Sequence, residues 1–177
     1  QYSIDEFFGD LNGWIKDEDT LEFITGLRDE IHAKFDLPIT IGASKSKWIA
    51  KLLTDRIKPF GVFALKEEDV LEYTKDININ EFAGIGRAIS KKLDSYKIKT
   101  LGELRQVPSL LTAYGKTGRE LYHRICGTDN ERVIPYSNRK GIGISRNFKA
   151  ILERDEIGRR VMILARYLSY TITKLGL

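Results

Sequence analysis

The stretch Ala83-Gly84-Ile85-Gly86-Arg87 constrains this chain more than any other. Two glycines flank one apolar residue, and the basic sequence Arg87-Ala-Ile-Ser-Lys91-Lys92-Leu93 follows at once. Glycine permits a tight turn, and a helix that starts directly after it leaves its first amides pointing outward as a phosphate site. Ile79 and Phe82 before the turn, and Ile89, Leu93, Ile98 and Leu101 after it, have the spacing of a helix-hairpin-helix. In that layout Ile85 turns inward, Gly84 and Gly86 let the backbone approach a phosphate, and Arg87, Lys91 and Lys92 add charge. An ordinary glycine turn between two helices is the alternative. Tyr114-Gly-Lys-Thr-Gly-Arg119 is a weaker echo, which also reads as a generic helix start.

Charge is distributed unevenly. The 177 residues carry a net +4, but residues 1–38 carry −7, residues 39–61 +4 and residues 137–177 +6. This layout suits a polyanionic partner for part of the chain; solvated helix faces would also account for it. A single cysteine, Cys126, excludes an internal disulfide, and two histidines argue against a structural zinc. No apolar run is long enough to span a bilayer, and a reducing, cytoplasmic setting fits the composition.

Residues 1–66 read as α/β. Short strands are expected at 2–4 and 7–11 around the acidic pair Asp5-Glu6, and Thr20 is expected to cap a helix that buries Leu21, Ile24, Leu27, Ile31 and Phe35. A strand at 39–42 follows. Ser44 then caps a second helix that turns Trp48, Ile49, Leu52 and Leu53 inward and places Lys45, Lys47 and Lys51 at its polar side. Pro59-Phe60-Gly61 ends this part before a strand at 62–65. Beyond Glu67 the pattern changes to short helices at 67–73, 78–82, 86–96, 100–106 and 117–126. Residues 128–140 read as a linker, Ile142, Ile144 and Phe148 as a strand, and a helix begins near Ile157.

Adjacent carboxylates converge on a cation only at a strand end or a tight turn, where Asp5 and Glu6 are expected, and hard oxygen ligands suit Mg²⁺. An exposed acidic turn is the alternative. Asp10 is a further ligand by composition alone. Lys58, before Pro59, can reach a triphosphate or simply satisfy a helix C-terminus. His32 and His123 read as helix residues, Cys126 as core, and Trp14 and Trp48 as packing residues.

Taken together, these segments resemble the Y-family translesion DNA polymerases, most closely the UmuC-like branch. Tyr-Ser-Ile-Asp-Glu-Phe-Phe-Gly-Asp-Leu-Asn-Gly at 2–13 is similar to the family's second catalytic motif. Ile-Gly-Ala-Ser-Lys-Ser-Lys-Trp-Ile-Ala-Lys-Leu at 41–52 and Lys-Pro-Phe-Gly at 58–61 resemble the rest of its palm. Residues 84–94 resemble its thumb hairpin, and Arg-Lys-Gly-Ile-Gly-Ile-Ser-Arg-Asn-Phe at 139–148 the lead-in to its little finger.

The resemblance implies a partial, ferredoxin-like palm with an incomplete sheet at 1–66 and an all-α helix-hairpin-helix thumb at 67–132. A linker at 133–140 and the α/β start of a little finger at 141–177 would follow. It implies that Asp5 and Glu6 are two of three carboxylates holding two Mg²⁺ ions, and that Lys58 touches the incoming deoxynucleoside triphosphate. Gly84, Gly86, Arg87, Lys91, Lys45, Lys47, Arg139 and Lys140 would contact primer–template DNA. A sliding clamp and a recombinase filament are further partners that the family admits. In the family the first metal carboxylate lies well upstream of the second motif, so the chain read alone is expected to bind primer–template weakly and not to extend it. A non-catalytic DNA-binding module built on the hairpin is the alternative function.

Overall fold

The computed structural model describes residues 3, 5–134 and 141–176, so the expected DNA contacts Arg139 and Lys140 lie outside the described residues. The chain divides into two compact units, Gln1–Val133 and Ile134–Leu177.

In the first unit, residues 5–11 form no strand. Backbone groups of a strand need a neighbouring ladder, and the parallel pair described below is the whole sheet among the described residues. A 3₁₀ turn at Asp17–Asp19 leads into helix α1, Thr20–Phe35, which its three acids favour at the N-terminus. Asp36 ends α1 in the left-handed conformation (φ 54°), donating its N–H to the His32 carbonyl. Thr20 is therefore the first helical residue, not the cap. The expected apolar face is only partly used: Ile24 is buried and Ile31 half-buried, while Leu21, Leu27 and Phe35 stay exposed. The helix meets the rest of the unit through polar and aromatic groups as well. Arg28 lies 4.6 Å over the Phe60 ring, and His32 meets the same ring edge-on at 4.8 Å.

Strand β1, Ile41–Ala43, pairs in parallel with β2, Val62–Ala64, in the register Ile41 to Val62. Helix α2, Lys47–Arg56, makes the crossover that a parallel pair requires. It buries Trp48, Ile49, Leu52 and Leu53, as their spacing predicts. Its cap is Ser46, whose side chain accepts from the Ile49 N–H, rather than Ser44. Ser46 immediately precedes the first helical residue in the extended conformation a cap adopts, and its hydroxyl donates to Asp129, far along the chain.

Short helices follow: α3 Val70–Thr74, a 3₁₀ turn at Ile79–Glu81, α4 Arg87–Ser95, α5 Leu101–Arg105, α6 Ser109–Thr112 and α7 Gly115–Cys126. Helix α6 is an addition to the sequence expectation. Thr100 and Glu103 form a reciprocal capping box at the start of α5. A bridge between Asn78 and Thr100 ties the two sides of the hairpin region together. Arg105 crosslinks it further, donating to the carbonyls of Leu71 (3.0 Å) and Ile125 (2.9 Å) and to the Thr74 hydroxyl. Ile79, Leu101, Leu104, Leu111 and Ile125 are fully buried, and they belong to one core with Ile49 and Leu53 of α2.

In the second unit, residues 141–150 form no strand, contrary to the expectation for Ile142, Ile144 and Phe148. Among the described residues no other segment pairs with them, and an unpaired strand would leave its backbone groups without protein partners. Helix α8, Arg154–Leu175, carries Glu156 in its first turn, hydrogen-bonded by Arg159 (2.7 and 2.9 Å) and Arg160 (2.6 Å). These bonds hold the Glu156 carboxyl at about 2. No described residue of α8 is buried. No described helix is long and apolar enough to cross a membrane.

Candidate nucleic-acid interface and carboxylate pair

The glycine turn is built from the inside outward. Phe82 and Ile85 are buried and pin it to the core. Gly84 has φ +104°, a conformation that L side chains rarely adopt, and a Cβ there would lie 3.1 Å from Leu121 Cδ1 of α7. Gly86 is the N-cap of α4, no side chain caps that helix, and a Cβ on Gly86 would meet nothing within 4 Å. The first amides of a helix have no acceptor within it. Here they begin at exposed Gly86, Arg87 and Ala88; Arg87 and Lys91, one helical turn apart, are both exposed and form no ion pair among the described residues. Lys92 turns aside and lies 4.9 Å over the Tyr114 ring. The weaker echo at 114–119 differs, because Gly118 is buried with Leu111 against it.

The carboxylate pair converges on one group. The Ser3 hydroxyl lies 2.7 Å from Asp5 Oδ1 and 3.3 Å from Glu6 Oε2. The other oxygen of Glu6 accepts from Lys51 Nζ at 2.5 Å, and Lys51 also lies 3.5 Å from Asp55. Asp55 in turn accepts from Lys58 Nζ at 2.8 Å. A chain of alternating charge thus runs from the pair to Lys58. The Ser3 hydroxyl, the residue's own backbone N–H and the charges of Lys58 and Lys51 lower the Asp5 carboxyl below its ordinary value. At Asp55 burial opposes ionisation, but Lys58 and Lys51 overcome it and the carboxyl is also lowered. Burial opposes the charge on Lys51 as well, yet Glu6 and Asp55 raise its ammonium. The lowered Asp5 carboxyl is therefore ionised at neutral pH, and Glu6 already holds a cation, the Lys51 ammonium. As hard oxygen donors the two carboxylates are of the kind that a hard divalent cation takes as ligands. Among the described residues no group of three or more metal-ligating side chains assembles, so Asp10 does not complete a triad.

Lys45 and Lys47 stand differently from Arg87 and Lys91. Lys45 pairs with Glu67 at 3.1 Å, and Lys47 pairs with Glu131 at 2.8 Å and is largely covered. Lys51, Asp55 and Glu131 are absent from the sequence-derived site. The i, i+4 and i, i+3 spacing of Lys51, Asp55 and Lys58 is a signal that could have found the first two; nothing local marks Glu131.

Residues 1–55 match the impB/mucB/samB family. The DNA polymerase IV of Oceanobacillus iheyensis is 34% identical over 135 residues, covering 75% of this chain and 32% of that protein. The DNA polymerase IV of Desulfotalea psychrophila is 30% identical over 167 residues, covering 91% of this chain and 44% of that protein. Among solved structures, a DinB-family error-prone DNA polymerase from Sulfolobus solfataricus superposes with a TM-score of 0.58 at 22% identity, over 67% of this chain and 36% of that one. A Y-family polymerase chimera reaches a TM-score of 0.61 at 22% identity, over 70% and 37%. At that identity the structural likeness is one of fold. The relatives carry DNA polymerase IV and DinB names, which indicates a DinB-like branch and leaves the UmuC-like one without confirmation. The chain spans less than half the length of these curated relatives and belongs, on the DinB-like side, to the Y-family of DNA polymerases.

Proposed function

We propose that the chain is the DNA-gripping portion of a polymerase that performs template-directed nucleotidyl transfer past lesions. The exposed start of α4 at Gly86, without a side-chain cap and flanked by the free cations Arg87 and Lys91, carries this reading. Gly84 and Gly86 hold phosphates of primer–template DNA through backbone amides, and Arg87 and Lys91 neutralise them without reading sequence. Residues 1–66 serve as palm, 67–132 as thumb and 141–177 as the start of a little finger. Asp5 and Glu6 hold Mg²⁺, which supplies activation of the primer hydroxyl and stabilisation of the leaving pyrophosphate. Lys58 steers the triphosphate as a point charge, and Lys51 and Asp55 keep it beside the pair. A sliding clamp or recombinase filament as partner rests on the family resemblance alone.

Two measurements test this. Anisotropy of a labelled primer–template detects weak, salt-sensitive binding by the 177-residue chain; no binding at low salt refutes the grip. Primer extension with Mg²⁺ and four nucleotides gives no product from this chain, because among the described residues no third metal-ligating side chain joins Asp5 and Glu6. Robust extension refutes that expectation. Extension that survives Asp5→Ala/Glu6→Ala in any active longer form favours the non-catalytic module instead.

A further inference from the structure

The segment following α7 reads as a connector in sequence, yet it anchors a dense polar cluster in the first unit. Glu131 accepts from Trp48 Nε1 at 3.0 Å, Arg124 Nε at 2.5 Å and Lys47 Nζ at 2.8 Å. Two residues earlier, Asp129 accepts from Ser46, the cap of α2. Arg124 lies 4.2 Å over the Trp48 ring, and Lys47 lies over both Trp48 (5.3 Å) and Phe8 (5.9 Å). Two cations therefore face the Glu131 carboxylate while Asp129 holds the cap of α2, and the groups come from residue 8, α2, α7 and 129–131.

Apolar contact between these elements already exists. Helix α7 ends at Gly127, where a Cβ would lie 3.0 Å from Val70 Cγ1 and 3.5 Å from Ile49 Cγ1. Such contact is non-directional: it removes area from water without fixing an angle. Three donors converging on one carboxylate do fix an angle, because charge-assisted hydrogen bonds weaken steeply when bent or stretched. The two elements also carry different parts of the site. Helix α7 supports the glycine hairpin through Leu121, and α2 carries Lys51, the partner of Glu6.

We propose that Glu131, supported by Asp129, is a positioning residue that latches α7 to the N-terminal end of α2 and sets one fixed separation between the hairpin grip and the carboxylate pair. The consequence for DNA rests on the function proposed above; the latch itself does not. A duplex long enough to touch both places would gain from their fixed separation, because the second contact becomes intramolecular. A duplex that reaches only the hairpin would not.

The test uses the full 177-residue chain with Cys126→Ala, Glu30→Cys and Asp94→Cys, spin-labelled on α1 and α4. The parent gives one narrow distance distribution, and Glu131→Gln widens it at least twofold while circular dichroism stays unchanged. Lys47→Gln leaves two donors on Glu131 and gives an intermediate width, which keeps the test decisive if Glu131→Gln fails to fold. A parent-like width in either folded variant overturns the latch. In binding assays Glu131→Gln weakens a long primer–template about tenfold and leaves a short duplex at parent affinity. Equal losses on both overturn the positioning role. A parent that binds neither duplex refutes the proposed function, and the distance measurement still decides the latch.

Discussion

The sheet-bearing part of the first unit and its helical hairpin part use similar apolar periodicity to different ends. Helix α1 runs for 16 residues and buries one of them, Ile24. Helix α7 runs for 12 and buries Gly118, Leu121 and Ile125. Around α7, helices from α3 to α6 close on a common core, and Arg105 stitches three of the elements together. Around α1, Ile24 is the one buried side chain, Arg28 and His32 meet a single aromatic ring, and Leu21, Phe23, Leu27 and Phe35 remain open. An apolar stripe thus states which face of a helix would be buried, while the neighbours determine whether it is.

The largest effect that would sharpen this contrast is on stability. Leu104→Ala, at a fully buried position of the hairpin part, should cost about 2–5 kcal/mol in urea unfolding. Leu21→Ala, half exposed on α1, should stay within about 0.5 kcal/mol. Equal losses would mean that α1 is as closely packed as α7, and the comparison would fail.

The next effect is on DNA binding. Arg87→Ala/Lys91→Ala should leave unfolding unchanged but reduce the salt slope of duplex binding by about 2, because each free cation displaces roughly one counterion. Lys45→Ala should reduce the slope by well under 1, since Lys45 is held by Glu67, whose hydrogen bond and charge raise its ammonium. A full unit of slope from Lys45 would extend the DNA track along the sheet part and break the division of labour.

Smaller still is the capping box. Thr100→Ala should cost about 1 kcal/mol in the same unfolding experiment. Smallest is a pH effect confined to α8. The folded value of Glu156, about 2, lies below its ordinary 4.5. Its contribution is therefore present above 4.5 and fades as pH falls towards 2. Helical circular dichroism of the chain should drop slightly over that window, and Glu156→Gln should remove the drop.

Several features were legible in the chain itself because they depend on neighbours a few residues away. The glycine turn, the inward side of Ile85, the buried set Trp48, Ile49, Leu52 and Leu53, and the helices from α3 to α5 are of this kind. Three expectations failed where distant partners matter. Residues 7–11 and 142–148 alternate like strands but have no ladder to join among the described residues. Ser44 reads as the cap of α2, but the helix starts after Ser46, whose hydroxyl meets Asp129. Lys47 reads as a surface cation until Glu131 covers it.

Sequence alone determined the local alphabet of this protein: most helix positions, the glycine turn before α4 and the acidic pair near the N-terminus. Those follow from backbone freedom and short-range periodicity, which any window of a dozen residues contains. Tertiary structure alone decided that Lys51 holds Glu6, that Asp129 and Glu131 close on α2, and that α1 leaves most of its apolar stripe open. Those contacts join residues up to 84 positions apart, and charge pairs of that kind depend on distances that only the folded chain sets.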